Sequence, residues 1–217
     1  MIDLVPPAAP PSPDADQRAA FLGAADAFLA LAADIVATSD LSAPGLGDWT
    51  LRELLGHTGR SLVTVAEYAR PEPAPIEVED AAAYYVATST FDPVEIAARG
   101  RAAGEALGDD PLATLQAAAA DARRALDALG EDGHVATIVG TMRPGEYLRT
   151  RTFELVVHCG DLARATGRPF TAPAAAIRDA LGLALDVAVR TGRGEAALAR
   201  LTGRPGLDGS VLDPPAA

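Results

Sequence analysis

The chain has a single cysteine, Cys159, and no lysine. One cysteine excludes an internal disulfide framework and a cysteine-rich zinc site. Aromatic residues are only 5% of the 217 positions, and there are three histidines, so any site that needs imidazole has few to draw on. No uninterrupted apolar run reaches about 18 residues, and no transmembrane helix is expected. The N-terminal MIDLVPPAAPPSPDADQR is acidic and proline-rich, without the basic start and apolar stretch of a secretory signal. Positive charge is also scarce. Eighteen arginines face 30 Asp and Glu, a formal charge of -12, which argues against binding nucleic acid or a membrane surface through bulk charge. A local arginine cluster could still hold a small anion. A soluble, cytoplasmic protein is expected.

Alanine is abundant, with 48 residues. It is the best helix former and lets helices pack closely, so the composition points to an all-α bundle. At this length, folding buries roughly 70% of the extended chain's surface, enough for one proper core. Residues 1–12 read as a flexible lead-in. From Asp14 to Thr38, Phe21, Leu22, Ala25, Phe28, Leu29, Ala32 and Ile35 recur at helical spacing. A second helix opens at Thr50, with Glu53 placed to complete a capping box. Residues 80–90 suggest a short helix, and Asp92-Pro93 and Asp110-Pro111 each announce another. EDGHVATIVGTMRPG reads as a connecting loop with an extended segment. Helices then follow over about 145–166, closed by Gly167 and Pro169, over about 173–191, and over 195–201. Four long helices thus make a bundle over 13–168, and 169–217 forms a short C-terminal helical extension and tail.

One segment carries candidate chemistry: GEYLRTRTFELVVHCGDLARATG, residues 145–167. Glu154 and His158 lie about 40° apart on its helix, one turn above each other, at the edge of an apolar strip of Leu148, Leu155, Cys159, Leu162 and Ala163. Tyr147, Thr150 and Asp161 share their strip. His57 sits at a similar edge of the capped helix, about 110° from its apolar centre. If the two helices are neighbours, His57, Glu154 and His158 form a two-histidine, one-carboxylate set of the kind that holds zinc, nickel or iron and leaves positions open. Spacing alone equally accommodates an i, i+4 ion pair and a packed histidine. His134 has no partner at useful spacing.

GDWTLRELLGHTGR, residues 47–60, resembles the Trp-Thr-x-x-Glu-Leu-x-x-His segment of the mycothiol-dependent maleylpyruvate isomerase family. RTFELVVHCGDLARATG, residues 151–167, resembles that family's Glu-x-x-x-His-x-x-Asp-Leu-Ala segment, and LTGRPGLDGSVLD, residues 201–213, looks like the ending of its shorter members. The resemblance implies a DinB-like four-helix bundle whose metal ligands are His57, Glu154 and His158. It also implies a divalent ion, zinc before nickel or iron, with mycothiol as cosubstrate. An S-transferase or isomerase acting on a small electrophile through a metal-activated thiolate is expected. The alternative is a non-catalytic metal-binding bundle that senses or binds a small molecule.

Asp161, one turn beyond His158, is placed to take the free imidazole N–H and fix its tautomer. Tyr147 and Thr150 are candidates for touching substrate, and no catalytic residue is assigned. Cys159 falls on the apolar face and reads as an inert buried thiol. Trp49 reads as a staple for the helix start. Arg149, Arg151 and Arg164 read as a solvated face paired with carboxylates, with attraction of an anionic substrate as the alternative. The family's isomerase carries a second, sterol-carrier-like domain that supplies an arginine. Residues 168–217 are too short for that domain, and Arg178, Arg190, Arg193, Arg200 and Arg204 are candidates for a replacement. The motifs therefore support metal and thiol chemistry better than maleylpyruvate isomerisation itself. A homodimer is left open.

Overall fold

The structure is a computed structural model that describes residues 13–130 and 132–202; the lead-in over 1–12 and the tail with Arg204 lie outside them. The helices are α1 (Pro13–Thr38), α2 (Leu51–Tyr68), α3 (Ala81–Thr88), α4 (Pro93–Glu105), α5 (Pro111–Ala128), α6 (Pro144–Thr166), α7 (Ala174–Arg190) and α8 (Gly194–Leu201). Five short strands join them: β1 (Pro44–Leu46), β2 (Trp49–Thr50), β3 (Ala69–Arg70), β4 (His134–Thr137) and β5 (Gly140–Met142).

The four longest helices before residue 168, α1, α2, α5 and α6, pack pairwise around one core, as the alanine-rich composition and helical periodicity imply. Phe21, Phe28 and Ile35 of α1, Leu54, Leu55 and Leu62 of α2, Leu115 of α5 and Leu155 and Leu162 of α6 are buried in it. By length and composition α1 could span a membrane, which the uninterrupted-run criterion had not suggested. Its Phe21, Phe28 and Ile35 face is instead buried against the other helices, while Asp26 and Asp34 form exposed ion pairs with Arg123 and Arg168.

The helix ends follow local chemistry. Thr50 Oγ1 accepts from the Glu53 backbone N–H, and Glu53 returns a carboxylate oxygen to the Thr50 N–H at 2.7 Å, closing the capping box that starts α2. Asp80, Asp92 and Asp110 cap α3, α4 and α5 in the same sense. Gly167 ends α6 at φ 67°, a left-handed conformation that glycine adopts without strain. Gly56 lets α4 lie directly on α2, because a Cβ there would collide with the Ala103 and Gly104 backbone.

Residues 134–142 hold the expected extended segment, but as two paired strands where one extended stretch in a loop is expected. β4 and β5 form an antiparallel hairpin, and β3 at the end of α2 adds a third strand, with Ala69 opposite Val135. His134 lies in this sheet, with Nδ1 2.7 Å from the Glu72 carbonyl oxygen. The C-terminal α7 packs on α6, α1 and α3, where Ala180, Leu183 and Val187 meet Phe153, Ala81 and Ala82.

Candidate metal centre

The capping box fixes where α2 begins and so places His57 on its second turn, on the flank facing α6. Leu148, Leu155, Cys159 and Leu162 turn the opposite side of α6 into the core, which leaves Glu154 and His158 at the seam between the two helices. The structure brings His57, Glu154 and His158 together: one ligand atom from each lies within 4.8 Å of the others. His158 Nε2 is 3.2 Å from Glu154 Oε2, and the two imidazole rings meet edge to face at 4.9 Å.

Each member is held from behind. His158 Nδ1 is 2.9 Å from Asp161 Oδ2, so the N–H on that nitrogen donates to the carboxylate and Nε2 is left facing Glu154. Arg164 pairs with the other oxygen of Asp161. Glu154 Oε1 accepts a 2.5 Å hydrogen bond from the Tyr85 hydroxyl on α3. His57 stacks against the Trp49 indole at 4.5 Å, and that indole donates from Nε1 to the Ala97 carbonyl oxygen of α4 at 3.2 Å. The Trp49 ring therefore walls the site as well as marking the start of α2.

The electrostatics differ among the three converging residues. Burial pushes the His57 imidazole down to about 4, helped by the neighbouring His158 charge, so it is neutral at physiological pH. Burial also opposes charge on His158, but its hydrogen bonds to Asp161 and Glu154 outweigh this and hold it up to about 9. For Glu154, the His158 hydrogen bond and charge, with Arg151 and Tyr85, overcome burial and keep the carboxyl well below its usual range. Burial raises the Cys159 thiol to about 12, in keeping with an inert side chain.

The cluster sits in the wall of a cavity of about 690 Å³. All four tyrosines of this aromatic-poor chain, Tyr68, Tyr84, Tyr85 and Tyr147, line it together with Trp49. Tyr147 thus lies where substrate contact was expected. Thr150, the other residue expected to touch substrate, lies behind that wall. It is fully buried and absent from the lining, because its hydroxyl donates to the Tyr147 carbonyl oxygen and accepts from Arg151 Nε. Arg149 and Arg164 pair with carboxylates as read from the sequence. Arg151 does not: it is turned into the cavity over the faces of Tyr147 and Tyr84. Sequence reasoning missed Tyr85, although two adjacent tyrosines in a chain with four were an available signal.

The donor set fits a divalent ion on its own terms. Buried His57 Nδ1 has no hydrogen-bond partner among the described residues, and two imidazoles converge with one carboxylate. Residues 21–163 match the family described as mycothiol maleylpyruvate isomerase N-terminal domain. No curated protein and no solved structure gives a significant match. The match spans more than half of the chain and takes in all three converging residues, each at the place where the two motifs put it. A helical bundle, the His57, Glu154 and His158 cluster and that match agree: the chain belongs to the mycothiol maleylpyruvate isomerase N-terminal domain family, within the DinB-like superfamily.

Proposed function

We propose that this protein is a divalent-metal enzyme that uses a small thiol, mycothiol by its family, to act on a small electrophile by S-transfer or thiol-assisted isomerisation. The observation that carries the reading is the approach of His57, Glu154 and His158 within 4.8 Å at the edge of a 690 Å³ cavity. Two imidazoles, His158 giving up its proton to the metal, and a carboxylate suit zinc best, accept nickel or iron, and leave coordination positions free for an exogenous ligand. A divalent cation bound there would lower the pKa of a thiol so that it reacts as thiolate near neutral pH.

The chain's own groups prepare that chemistry. Asp161 fixes the tautomer and orientation of His158, and Tyr85 locks one oxygen of Glu154 so that the other faces the histidines. His57 needs no proton removed before it ligates. The tyrosines and Trp49 give an apolar wall that excludes water from a reactive sulfur and holds the hydrocarbon part of a substrate.

Incubation of zinc-loaded protein with mycothiol and a chloronitrobenzene or α,β-unsaturated carbonyl tests the reading. Electrophile consumption that needs both thiol and metal, and is lost in His158→Ala, is the expected result. Unchanged turnover in His158→Ala contradicts it. Metal retention with no thiol-dependent reaction across the electrophiles would make the bundle a binding module instead.

A further inference from the structure

α7 is held to the bundle by one side, on which Ala176, Ala180, Leu183 and Val187 are buried. Its outward side carries Ile177, Leu181, Leu185 and Val189, exposed at 39%, 50%, 39% and 71%. Each follows the last by four residues, so the four form a single row that winds slowly along the helix. α8 extends it. A Cβ on Gly194 would sit 3.1 Å from Val189 Cγ2, and Leu198 and Leu201, each 62% exposed, lie one and two turns beyond Gly194 on the same side of α8. Six of the twelve large apolar side chains exposed among the described residues therefore fall within 174–201. Scattered exposed leucines need no explanation. A continuous row on the order of 600 Å² is at the upper end of what a monomer leaves to water, and marks an interaction surface.

Charge selects the partner. With a net charge of -12, two copies of this chain repel each other over most of their surfaces. The row is free of that repulsion, because the two carboxylates of α7, Asp179 and Asp186, both pair with Arg149 of α6 and lie off it. Arg178 stands at one end of the row, beside Ile177, and Glu195 at the other, on the first turn of α8. Both are exposed, and neither makes an ion pair among the described residues. A two-fold axis at the middle of the row sets α7 antiparallel to its copy, with Leu181 opposite the partner's Leu185 and Ile177 opposite the partner's Val189. That arrangement turns Arg178 toward the partner's Glu195, twice in one interface. Rows spaced by four interdigitate when the helices cross at about -50°, the commonest packing of helix on helix. With its polar rim added, the row approaches the roughly 800 Å² per partner of a stable interface.

We propose that this protein pairs with a second copy of itself through the outward faces of α7 and α8, as a two-fold dimer closed by Arg178 and the partner's Glu195. The pairing bears on the site without entering it. The inner side of α7 packs Leu183 and Val187 against Phe153, and Phe153 lines the cavity of the converging residues, so a partner on the outer side steadies that wall. The inference is independent of the metal and thiol chemistry proposed above.

Sedimentation velocity of the full chain, from about 1 to 100 µM, tests it. Wild type should sediment as a dimer with a Kd of about 10 µM or tighter. The double variant Leu181→Glu with Leu185→Glu puts four carboxylates at the centre of the interface, and should stay monomeric throughout while its helical circular dichroism is unchanged. Arg178→Glu sets like charges against the partner's Glu195 and should weaken the dimer by about tenfold or more. Adding Glu195→Arg to that variant should restore most of the loss, a rescue that a merely local effect of either residue does not give. The charge pair also serves where the double glutamate variant folds poorly. Wild type that is monomeric at about 100 µM overturns the proposal, whether residues 203–217 or an unrelated protein covers the row. A dimer undiminished by Leu181→Glu with Leu185→Glu overturns it equally, since the interface then lies elsewhere.

Discussion

Asp161 and Tyr85 show how few atoms outside the three converging residues decide what those residues can do. Without the 2.5 Å hydrogen bond from Tyr85, the carboxylate of Glu154 could rotate away from the histidines. Removing such a supporting contact typically costs about 10–100-fold in metal affinity. Tyr85→Phe should therefore weaken zinc binding by about tenfold, read by competition with a calibrated chelator, while the helical circular dichroism stays unchanged. Unaltered affinity would mean that Tyr85 only fills space. The protonation pattern gives a second expectation. His57 is held neutral down to about 4 and Glu154 is already ionised, whereas His158 keeps its proton up to about 9 in the metal-free site. Below that value a metal must displace the proton. Binding at pH 7 should release about one proton per ion, and affinity should fall about tenfold for each unit of acidification between pH 8 and 6. An indicator dye in weak buffer reads the release directly, and zinc uptake without acidification would contradict the pairing of His158 with Asp161 and Glu154.

At the scale of the element, what was legible in the sequence is what short-range chemistry determines. The Thr50–Glu53 box, the Asp-Pro starts of α4 and α5 and the left-handed Gly167 all act within four residues, and each ends or begins a helix where its residues imply. Glu154, His158 and Asp161 share a strip because helical pitch alone puts them there. Thr50→Ala removes the side-chain half of the box and should lower unfolding free energy by about 1 kcal/mol, seen as a reduced urea midpoint with an unchanged slope. The rest depends on partners far away in the chain. The pairing of Ala69 with Val135 could not be read from either segment alone, since neither run is long or strongly alternating. The crossing of α4 on α2 turns on Gly56, whose meaning appears only when the Ala103 backbone lies against it. Gly56→Ala should cost about 1–3 kcal/mol, the range for forcing added atoms into a packed contact. A stability equal to wild type would show that the two helices can separate freely. Arg151 was misread for the same reason. Its helix position suggests a solvated face, and only Tyr84 from α3 and the cavity make it a partly buried, unpaired cation.

On the scale of the whole molecule, one apolar core under α1, α2, α5 and α6 holds the seam of α2 and α6 in register, and α3 and α4 close the cavity over it from either side. An alanine-rich helical bundle and the three candidate ligands were readable from composition, periodicity and two motifs, whereas the cavity and its arginines were not. The most direct test of the account is the metal content of tag-free protein by elemental analysis, wild type beside His57→Ala and His158→Ala. The account predicts about one zinc or nickel per chain in wild type and its loss in both variants. Absence of stoichiometric metal after reconstitution with zinc, nickel and iron, or equal metal in all three proteins, would contradict it.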